Sequence, residues 1–306
     1  MSLSVADIYH SPDAFLDGLD KAIEDHVDSV MAEKTVEWEE RNAGQVVSGS
    51  AFALCTRQAF FRYFAEGEAQ AEFPLDAKKK MFLGHVNEAI VIDALRATIE
   101  KGLMPGDLHI EQASEPVNTK YEYNGVVFSS TSDIILRVKI EKPGGGPSFE
   151  IPIELKNTES NDFMPPQVWW KRFHPHSDHL RQLTQWMYYR KREGHAVPYG
   201  LLVYSRRSNY DTKAFVIADL DEYPNLSPVL SKDSRQLLHY TEVESIVKRR
   251  MRELSAAVRE ETPPRFAGFR EKGNTDPYTE TIPQYRCNTC VFKRVCKETR
   301  GVDDES

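Results

Sequence analysis

Residues 124–158 read NGVVFSSTSDIILRVKIEKPGGGPSFEIPIELKNT, and here the hydrophobic period of the chain changes from helical to extended. The stretch opens on an Asn-Gly turn and is rich in β-branched residues, which is typical of a strand. The composition of KPGGGPS (142–148) predicts a turn, and FEIPIELKNT (149–158) predicts a second strand. We therefore expect an antiparallel hairpin, with Asp133 in its first strand and Glu154 and Lys156 in its second.

Helical spacing dominates on both sides of this hairpin. Upstream, residues 27–44, 48–68 and 77–102 each predict a helix, and the first and third end at a glycine. Downstream, the pattern predicts a helix over 179–192, strands over 199–207 and 213–220, and a long amphipathic helix over 235–262 that stops before Pro263-Pro264. The rest, as far as Cys296, reads as loop. The expected fold class is α/β.

The length of 306 residues allows either two domains of about 150 residues each or one large α/β core with additions. We divide the chain into an acidic helical N-terminal extension (1–48), a core (49–262) and a C-terminal segment with an acidic tail (263–306). No apolar run reaches the ~18–20 residues that span a bilayer. Residues 1–26 lack the charged and apolar regions of a signal peptide. These features predict a cytoplasmic protein with no membrane partner.

The net charge of −8 means that any nucleic-acid binding must depend on local basic clusters. Any one such cluster is more simply a solvated face, but together they predict a basic groove on an acidic body. Trp169-Trp170, just before one cluster, suit base stacking, although a core or interface pair is the simpler interpretation. The clusters are Lys78–Lys80, Lys171-Arg172, Arg190–Arg192, Arg206-Arg207 and Lys248–Arg250.

The predicted hairpin brings two carboxylates and an ammonium together. Side chains alternate along a strand, so Glu154 and Lys156 share one face while Leu155 points to the other. With a turn near Gly144–Gly146, Asp133 falls opposite Glu154. Carboxylates bind hard divalent cations, and such a metal activates water against a phosphodiester. The alternative is an ordinary surface network of charged residues.

The chain has four cysteines, of which Cys287, Cys290 and Cys296 form a compact C-x2-C-x5-C group. Cys55 lies more than 200 residues before them. Structural disulfides are not expected in a cytosolic chain, so four thiolates indicate either a tetrahedral zinc or an iron–sulfur cluster. His174 and His176 lie in a loop, and we assign them no role.

Taken in order, these residues resemble the PD-(D/E)XK nuclease superfamily. Ser132-Asp133 stands where the family has Pro-Asp, and Glu154-Leu155-Lys156 stands as its E-x-K. Gly84-His85 looks like the G-x-x-H element of the RecB-like branch. His179-Leu-Arg-Gln182-Leu183 looks like the start of that branch's Q-x-x-x-Y helix. The H-x-x-Q-L run of the family makes Gln182 the first choice, although Trp186 stands where the tyrosine is expected. Gln185, which has Tyr189 at the expected spacing, is the second choice.

The placing of Cys55 before this core, with three cysteines after it, is similar to the iron–sulfur RecB-like exonucleases associated with CRISPR adaptation. The resemblance implies a restriction-endonuclease-like core, a central mixed sheet flanked by helices. It also implies that the C-terminal segment packs back on the helix of Cys55, with a structural 4Fe–4S cluster held by all four cysteines.

The resemblance further assigns the roles at the carboxylate site. Asp133, Glu154, His85 and the Leu155 carbonyl would bind Mg or Mn. Lys156 would orient the attacking water or stabilise the charged transition state, and Gln182 would help to position the substrate or Lys156. It implies exonuclease action on single-stranded DNA ends, 5′→3′ favoured, and allows protein partners in a DNA-processing complex or an oligomer. Two rivals stay open: a non-catalytic DNA-binding or assembly subunit, and a nuclease stapled by zinc.

Overall fold

In a computed structural model, the protein is a mixed α/β fold in which two mixed sheets are flanked by helices. The structure describes residues 25–30, 32–33, 46–64, 75–100, 108–114, 117–140, 148–158, 174–206, 212–224, 235–271, 276, 278–282, 284–288, 290 and 292–300. Residues 25–30 and 32–33 are helical. The mixed-sheet architecture confirms the coarse fold class expected from the sequence.

The strands, in chain order, are β1 (Val46–Ser48), β2 (Leu108–Ser114), β3 (Val117–Tyr123), β4 (Val126–Ser132), β5 (Ile134–Ile140), β6 (Ser148–Thr158), β7 (Tyr199–Arg206), β8 (Thr212–Ala218) and β9 (Arg235–His239). The helices are α1 (Gly49–Leu54), α2 (Thr56–Phe64), α3 (Leu75–Glu100), α4 (Ser177–Arg192), α5 (Tyr240–Glu260), α6 (Gln284–Asn288) and α7 (Lys293–Arg300).

The larger sheet has six strands in the order β2-β5-β6-β7-β8-β9. Parallel pairing joins β6 to β7 and β8 to β9, while the other neighbours run antiparallel. The antiparallel pairing expected for the hairpin is present between β5 and β6, with Ile134 opposite Ile153 and Leu136 opposite Ile151. The predicted turn at 142–148 lies almost wholly outside the described residues.

The smaller sheet has the order β1-β4-β3, and its strand β1 lies before residue 49, where we expected the core to begin. Val46–Ser48 pairs in parallel with Val127–Ser129, so part of the segment assigned to the N-terminal extension belongs to the core. The Asn-Gly turn joins β3 to β4, with Asn124 and Gly125 both at positive φ, 50° and 78°. A type I′ turn needs this backbone, and it suits the twist of a two-residue hairpin.

The strand expected to run through Asp133 is in fact two strands in different sheets. β4 ends at Ser132, a bend follows at Asp133, and β5 begins at Ile134. The Ser132 hydroxyl lies 2.9 Å from the carbonyl of Ile134 and 3.2 Å from that of Ile153, so it holds both sides of the bend. Local β propensity covers the whole stretch, and the switch between sheets depends on partners that are distant in sequence.

Other boundaries also differ from the sequence prediction. In place of one helix over 48–68, the described residues form two helices, α1 and α2, which meet at Cys55 in extended conformation (φ −152°, ψ 119°). The first five residues of the predicted helix 235–262 form β9, which pairs with β8. The C-terminal stretch expected to be loop contains α6 and α7. The predicted helix over 27–44 lies mostly outside the described residues.

Helices cover both faces of the large sheet. Leu180, Leu183 and Met187 of α4 pack with Leu202 and Tyr204 of β7. On the opposite face, Val91 and Ile92 of α3 pack on the apolar side of β5 and β6. None of the helices in the described part of the chain is both long enough and apolar enough to cross a membrane.

A side chain at Gly49 is expected to be strained by close contacts. An added Cβ would lie 3.0 Å from the Ser129 carbonyl oxygen and 3.2 Å from the Ser130 Cα, both in the strand that leads to Asp133. The Ser129 oxygen and the Ser130 Cα are backbone atoms, which move aside less easily than the end of a side chain. We therefore expect Gly49→Ala to lower the free energy of unfolding by about 1–3 kcal/mol in denaturant titrations.

Gly84→Ala is the matched control, because its Cβ would meet only the Asn157 amide at 3.6 Å. In the interior of α3 this substitution is expected to be neutral or stabilising by up to about 1 kcal/mol. Equal losses in the two variants would contradict the steric interpretation of Gly49.

Candidate active site and cysteine module

The bend at Asp133 places its carboxylate beside β6. Asp133 Oδ2 accepts a hydrogen bond of 2.7 Å from the backbone N–H of Leu155, the residue between Glu154 and Lys156. The pairing of Ile134 with Ile153 puts Asp133 opposite Glu154, as the hairpin pattern predicted. One side chain from the bend is thus fixed against the strand that carries the other two.

Glu154 and Lys156 face the same side of β6 and are in direct contact. The Lys156 ammonium donates to Glu154 Oε1. The Glu154 side chain is 1% exposed, while that of Lys156 is 23% exposed. Burying a carboxylate costs free energy unless it is paired, so the contact with Lys156 offsets part of the cost of burying Glu154.

Strand alternation separates these charged groups from the apolar face. Ile151, Ile153 and Leu155 are all buried in the core that α3 covers, as the alternation predicted. Glu154 and Lys156 point to the α4 side, where their β7 partners are Leu202 and Tyr204. The polar side chains therefore occur at the carboxyl-terminal end of a strand whose other face is fully committed to packing.

Helix α3 approaches the same end of β6 from the other face. The Asn157 amide donates to the Gly84 carbonyl at 3.1 Å, one residue before His85. The backbone of His85 thus lies in a helix tied to the strand of Glu154 and Lys156. Its side chain lies outside the described part of the structure, and so do Trp169, Trp170 and the Lys171-Arg172 cluster.

The two glutamine candidates on α4 differ in their surroundings. The Gln182 backbone carbonyl accepts a hydrogen bond of 3.4 Å from the Ser130 hydroxyl, and its side chain is half-buried. Gln185 is fully buried and donates to the Tyr189 hydroxyl at 2.6 Å, within the core around the small sheet. Gln185 is therefore used in packing, and Gln182 is the glutamine fixed beside the strand that leads to Asp133.

The cysteine-bearing C-terminal segment packs back on α2, as we expected. Arg57 donates to the Pro264 carbonyl at 3.1 Å and to the Thr299 hydroxyl. The rings of Phe61 and Phe292 lie 5.9 Å apart. These contacts hold Cys55 and the C-terminal cysteine group in one module, although more than 200 residues separate them along the chain.

None of the four cysteines forms a disulfide, and the other three all interact electrostatically with Cys290. Burial raises the pKa of the Cys290 thiol, a hydrogen bond with the Phe292 backbone lowers it, and the neighbouring Cys55, Cys287 and Cys296 raise it further. Burial likewise raises the pKa of Cys55. Turns position the group, because Cys290 N–H donates to the Cys287 carbonyl at 3.3 Å and Cys296 N–H to the Phe292 carbonyl at 2.9 Å.

This donor set suits a soft metal centre. Four neighbouring thiols with no disulfide are the ligands that zinc and iron–sulfur clusters share. Among the described residues, no three His, Cys, Asp or Glu side chains are already gathered closely enough to hold a metal ion.

Comparisons with known proteins give the chain no family. No model of a known family matches it, and no curated protein sequence matches it significantly. Among solved structures, the crystal structure of SSO0001 is similar, with 17% sequence identity and a TM-score of 0.42, over 82% of this chain and 86% of that one. A likeness this distant carries no functional argument.

A histidine–tyrosine cluster beside Glu154 was missed by the sequence analysis. The buried Tyr204, opposite Lys156 in the register, accepts a hydrogen bond of 3.0 Å from the His176 N–H, and its hydroxyl lies 2.8 Å from His179 Nδ1. Burial raises the pKa of Tyr204, the His176 hydrogen bond lowers it, and Asp178 and Glu154 raise it. Sequence alone gave no signal for Tyr204, because its position depends on strand register.

Two of the predicted basic clusters are largely used inside the protein. Arg190 pairs with Glu150 at 2.8 Å, and Lys191 pairs with Asp219 and Glu222. In the cluster at 248–250, Arg250 is buried rather than exposed. These two clusters therefore do not provide the three-residue basic surfaces that the sequence suggested.

Proposed function

We propose that this chain is a metal-dependent DNA exonuclease with a restriction-endonuclease-like core. The observation that supports this most is the bend at Asp133, which fixes one carboxylate against the strand of Glu154 and Lys156. Two carboxylates and an ammonium at the end of a strand suit phosphodiester hydrolysis. The carboxylates can hold a divalent cation, and the cation and the ammonium then place positive charge near the attacking water and the phosphate.

Asp133, Glu154 and the Leu155 carbonyl would hold Mg or Mn, with His85 as a nitrogen ligand. A bound divalent cation lowers the pKa of its water and neutralises charge on the phosphate. The Leu155 N–H orients Asp133 through its hydrogen bond. Lys156, which donates a hydrogen bond to Glu154, would stabilise the negative charge that develops when water attacks the phosphate. Gln182, fixed on α4 beside β4, would help to position the substrate or Lys156.

Cys55, Cys287, Cys290 and Cys296 would hold a 4Fe–4S cluster with a structural role. The packing of α2 on the C-terminal segment supports this, since a cluster there would close a loop of more than 200 residues. Single-stranded DNA ends are the proposed substrate, and 5′→3′ is the favoured polarity. The protein would act in the cytoplasm, together with protein partners of a DNA-processing complex or with further copies of the chain.

The first test is a nuclease assay on the purified wild-type protein with Mn or Mg. End-labelled single-stranded, duplex and circular DNA would be compared, with each end blocked in turn. We expect degradation of linear single strands that requires the metal and a free end, and no action on circles. Metal-replete protein that degrades no DNA of any form would overturn the nuclease proposal and leave the non-catalytic binding subunit.

Asn157→Ala is expected to weaken divalent-metal binding by about tenfold, as loss of a group that supports a ligand typically does. The Asn157 amide ties α3, and hence His85, to β6 through the Gly84 carbonyl. Mn binding followed by electron paramagnetic resonance would measure it. Asn118→Ala is the matched control, because it removes a similar hydrogen bond in the small sheet, from the Asn118 side-chain amide to the Thr131 hydroxyl at 2.9 Å. An equal loss of affinity in both variants would contradict the link to the site.

A further inference from the structure

Two arginines are buried side by side next to the cysteine module. Arg181 of α4 is 3% exposed and Arg250 of α5 is 4% exposed. Both donate to a single backbone oxygen, that of Ala53: Arg181 Nε at 2.7 Å and Arg250 Nη1 at 2.8 Å. Two like charges thus converge on one carbonyl, two residues before Cys55.

The hydrogen bonds of this pair go to backbone carbonyls, since the remaining one joins Arg181 Nη1 to the Thr279 carbonyl at 2.8 Å. In the described part of the chain, neither guanidinium forms an ion pair with a carboxylate. Burying a cation without a counter-charge is costly, and two adjacent cations repel each other as well.

The acidic groups that act on the pair from further away are engaged elsewhere or solvated. Glu280 pairs with Arg249 at 2.5 Å, and Asp178 lies 3.8 Å from His179 Nε2. Glu253 is exposed on the outer face of α5. Asp178 and Glu280 act electrostatically on both guanidiniums and Glu253 acts on Arg250. Among the described residues, however, none of these carboxylates forms an ion pair or a hydrogen bond with either arginine.

Cys55 is the other partner, because it lies next to the shared carbonyl and interacts electrostatically with Arg250. As thiols, the four cysteines carry no charge. Around a zinc ion or an oxidised 4Fe–4S core, four thiolates leave about two negative charges, which would balance two guanidiniums.

We infer that Arg181 and Arg250 form a built-in counter-charge for a metal–tetrathiolate centre. This inference rests on the cofactor part of the proposed function and not on the nuclease part. The pair would favour the loaded, thiolate form over the metal-free form. It would also raise the reduction potential of an iron–sulfur cluster, because the reduced state carries more negative charge.

The test compares Arg250→Met, which removes the charge, with Arg250→Lys, which keeps it but loses the planar fork. In either variant Arg181 still donates to the Ala53 carbonyl, so no backbone acceptor is orphaned. Iron and zinc per chain, the rate of metal loss to a chelator, and the reduction potential would be measured on anaerobically purified protein. Arg252→Met, on the exposed side of α5, is the control.

We expect Arg250→Met to lose its metal about tenfold faster than wild type and, for a cluster, to have a lower reduction potential, while Arg250→Lys stays close to wild type. Similar changes in the lysine and methionine variants would indicate a role in packing alone and overturn the inference. If Arg250→Met does not accumulate as folded protein, Arg181→Met, which leaves Arg250 in place, is measured instead.

The outcomes separate the inference from the cofactor proposal. Wild-type protein loaded with metal, with an Arg250→Met variant unchanged in both chelation rate and potential, overturns only the counter-charge. Wild-type protein that holds neither iron nor zinc overturns both. Nuclease activity enters neither comparison, so a failed nuclease proposal would leave this result standing.

Discussion

Asp133→Asn is expected to lower DNA degradation on the order of 10³-fold while leaving the protein folded. The amide oxygen of asparagine can still accept the hydrogen bond from the Leu155 N–H that Asp133 Oδ2 now accepts at 2.7 Å. The shape of the bend and the pairing of β5 with β6 should therefore survive. What disappears is one negative charge from the set that would hold the divalent metal.

The measurement combines the nuclease rate with Mn binding and thermal unfolding. Asp221→Asn, an exposed residue in the turn after β8, should change none of the three. Lys156→Ala should lower the rate about 10²-fold or more with Mn still bound, because it removes a charge that acts on the transition state. Lys120→Ala, on the exposed side of β3, is its control. An Asp133→Asn protein with near-normal activity would exclude Asp133 as a metal ligand.

The faces of β6 were predictable because strand alternation is local. The apolar side of Ile151, Ile153 and Leu155, and the polar side of Glu154 and Lys156, follow from the order of residues alone. The sheet switch at Asp133 was not predictable, since residues 126–132 and 134–140 both have a strand pattern and the sheet that each joins depends on partners distant in sequence.

Other differences have the same origin. Val46–Ser48 becomes a strand only because β4, about 80 residues later, offers an open edge. Residues 235–239 become a strand through parallel pairing with β8, although their spacing fits the helix that follows. In contrast, β3 carried a usable signal: polar Asn118, Lys120 and Glu122 alternate with larger or less polar residues, which is the period of a strand.

The candidate site divides along the same line. Its charged triad lies in one hairpin and could be assembled from the sequence, whereas Tyr204 and the buried Arg250 required a knowledge of register and burial. Arg250 shows the limit clearly, because the run Lys248-Arg249-Arg250 looks uniformly basic in the sequence. The helical period directs its third member into the core and leaves the first two outside.

Cys290→Ser is expected to abolish most of the iron–sulfur content and to lower the stability of the whole chain. The Cys290 thiol interacts electrostatically with all three other cysteines, so it belongs to the proposed ligand set. The serine that replaces it has a hydroxyl, which is a poor ligand for iron. Loss of the cluster would release the cross-link between α2 and the C-terminal segment, for which loss of a long-loop disulfide suggests a cost of about 2–5 kcal/mol. The hydrogen bonds of Arg57 to the Pro264 carbonyl and the Thr299 hydroxyl, and the contact of Phe61 with Phe292, would remain between α2 and the C-terminal segment.

Iron and sulfide per chain, broad absorbance near ~400–420 nm and the thermal unfolding temperature would measure this effect. Asn288→Ser is the matched control, because it places the same side chain on the exposed side of α6, between Cys287 and Cys290. It should keep the colour and the unfolding temperature of the wild type. A colourless wild-type protein with one zinc per chain would replace the cluster by zinc, and Cys290→Ser would then release that zinc. A Cys290→Ser protein that keeps full iron content would show that the four cysteines do not act as one ligand set.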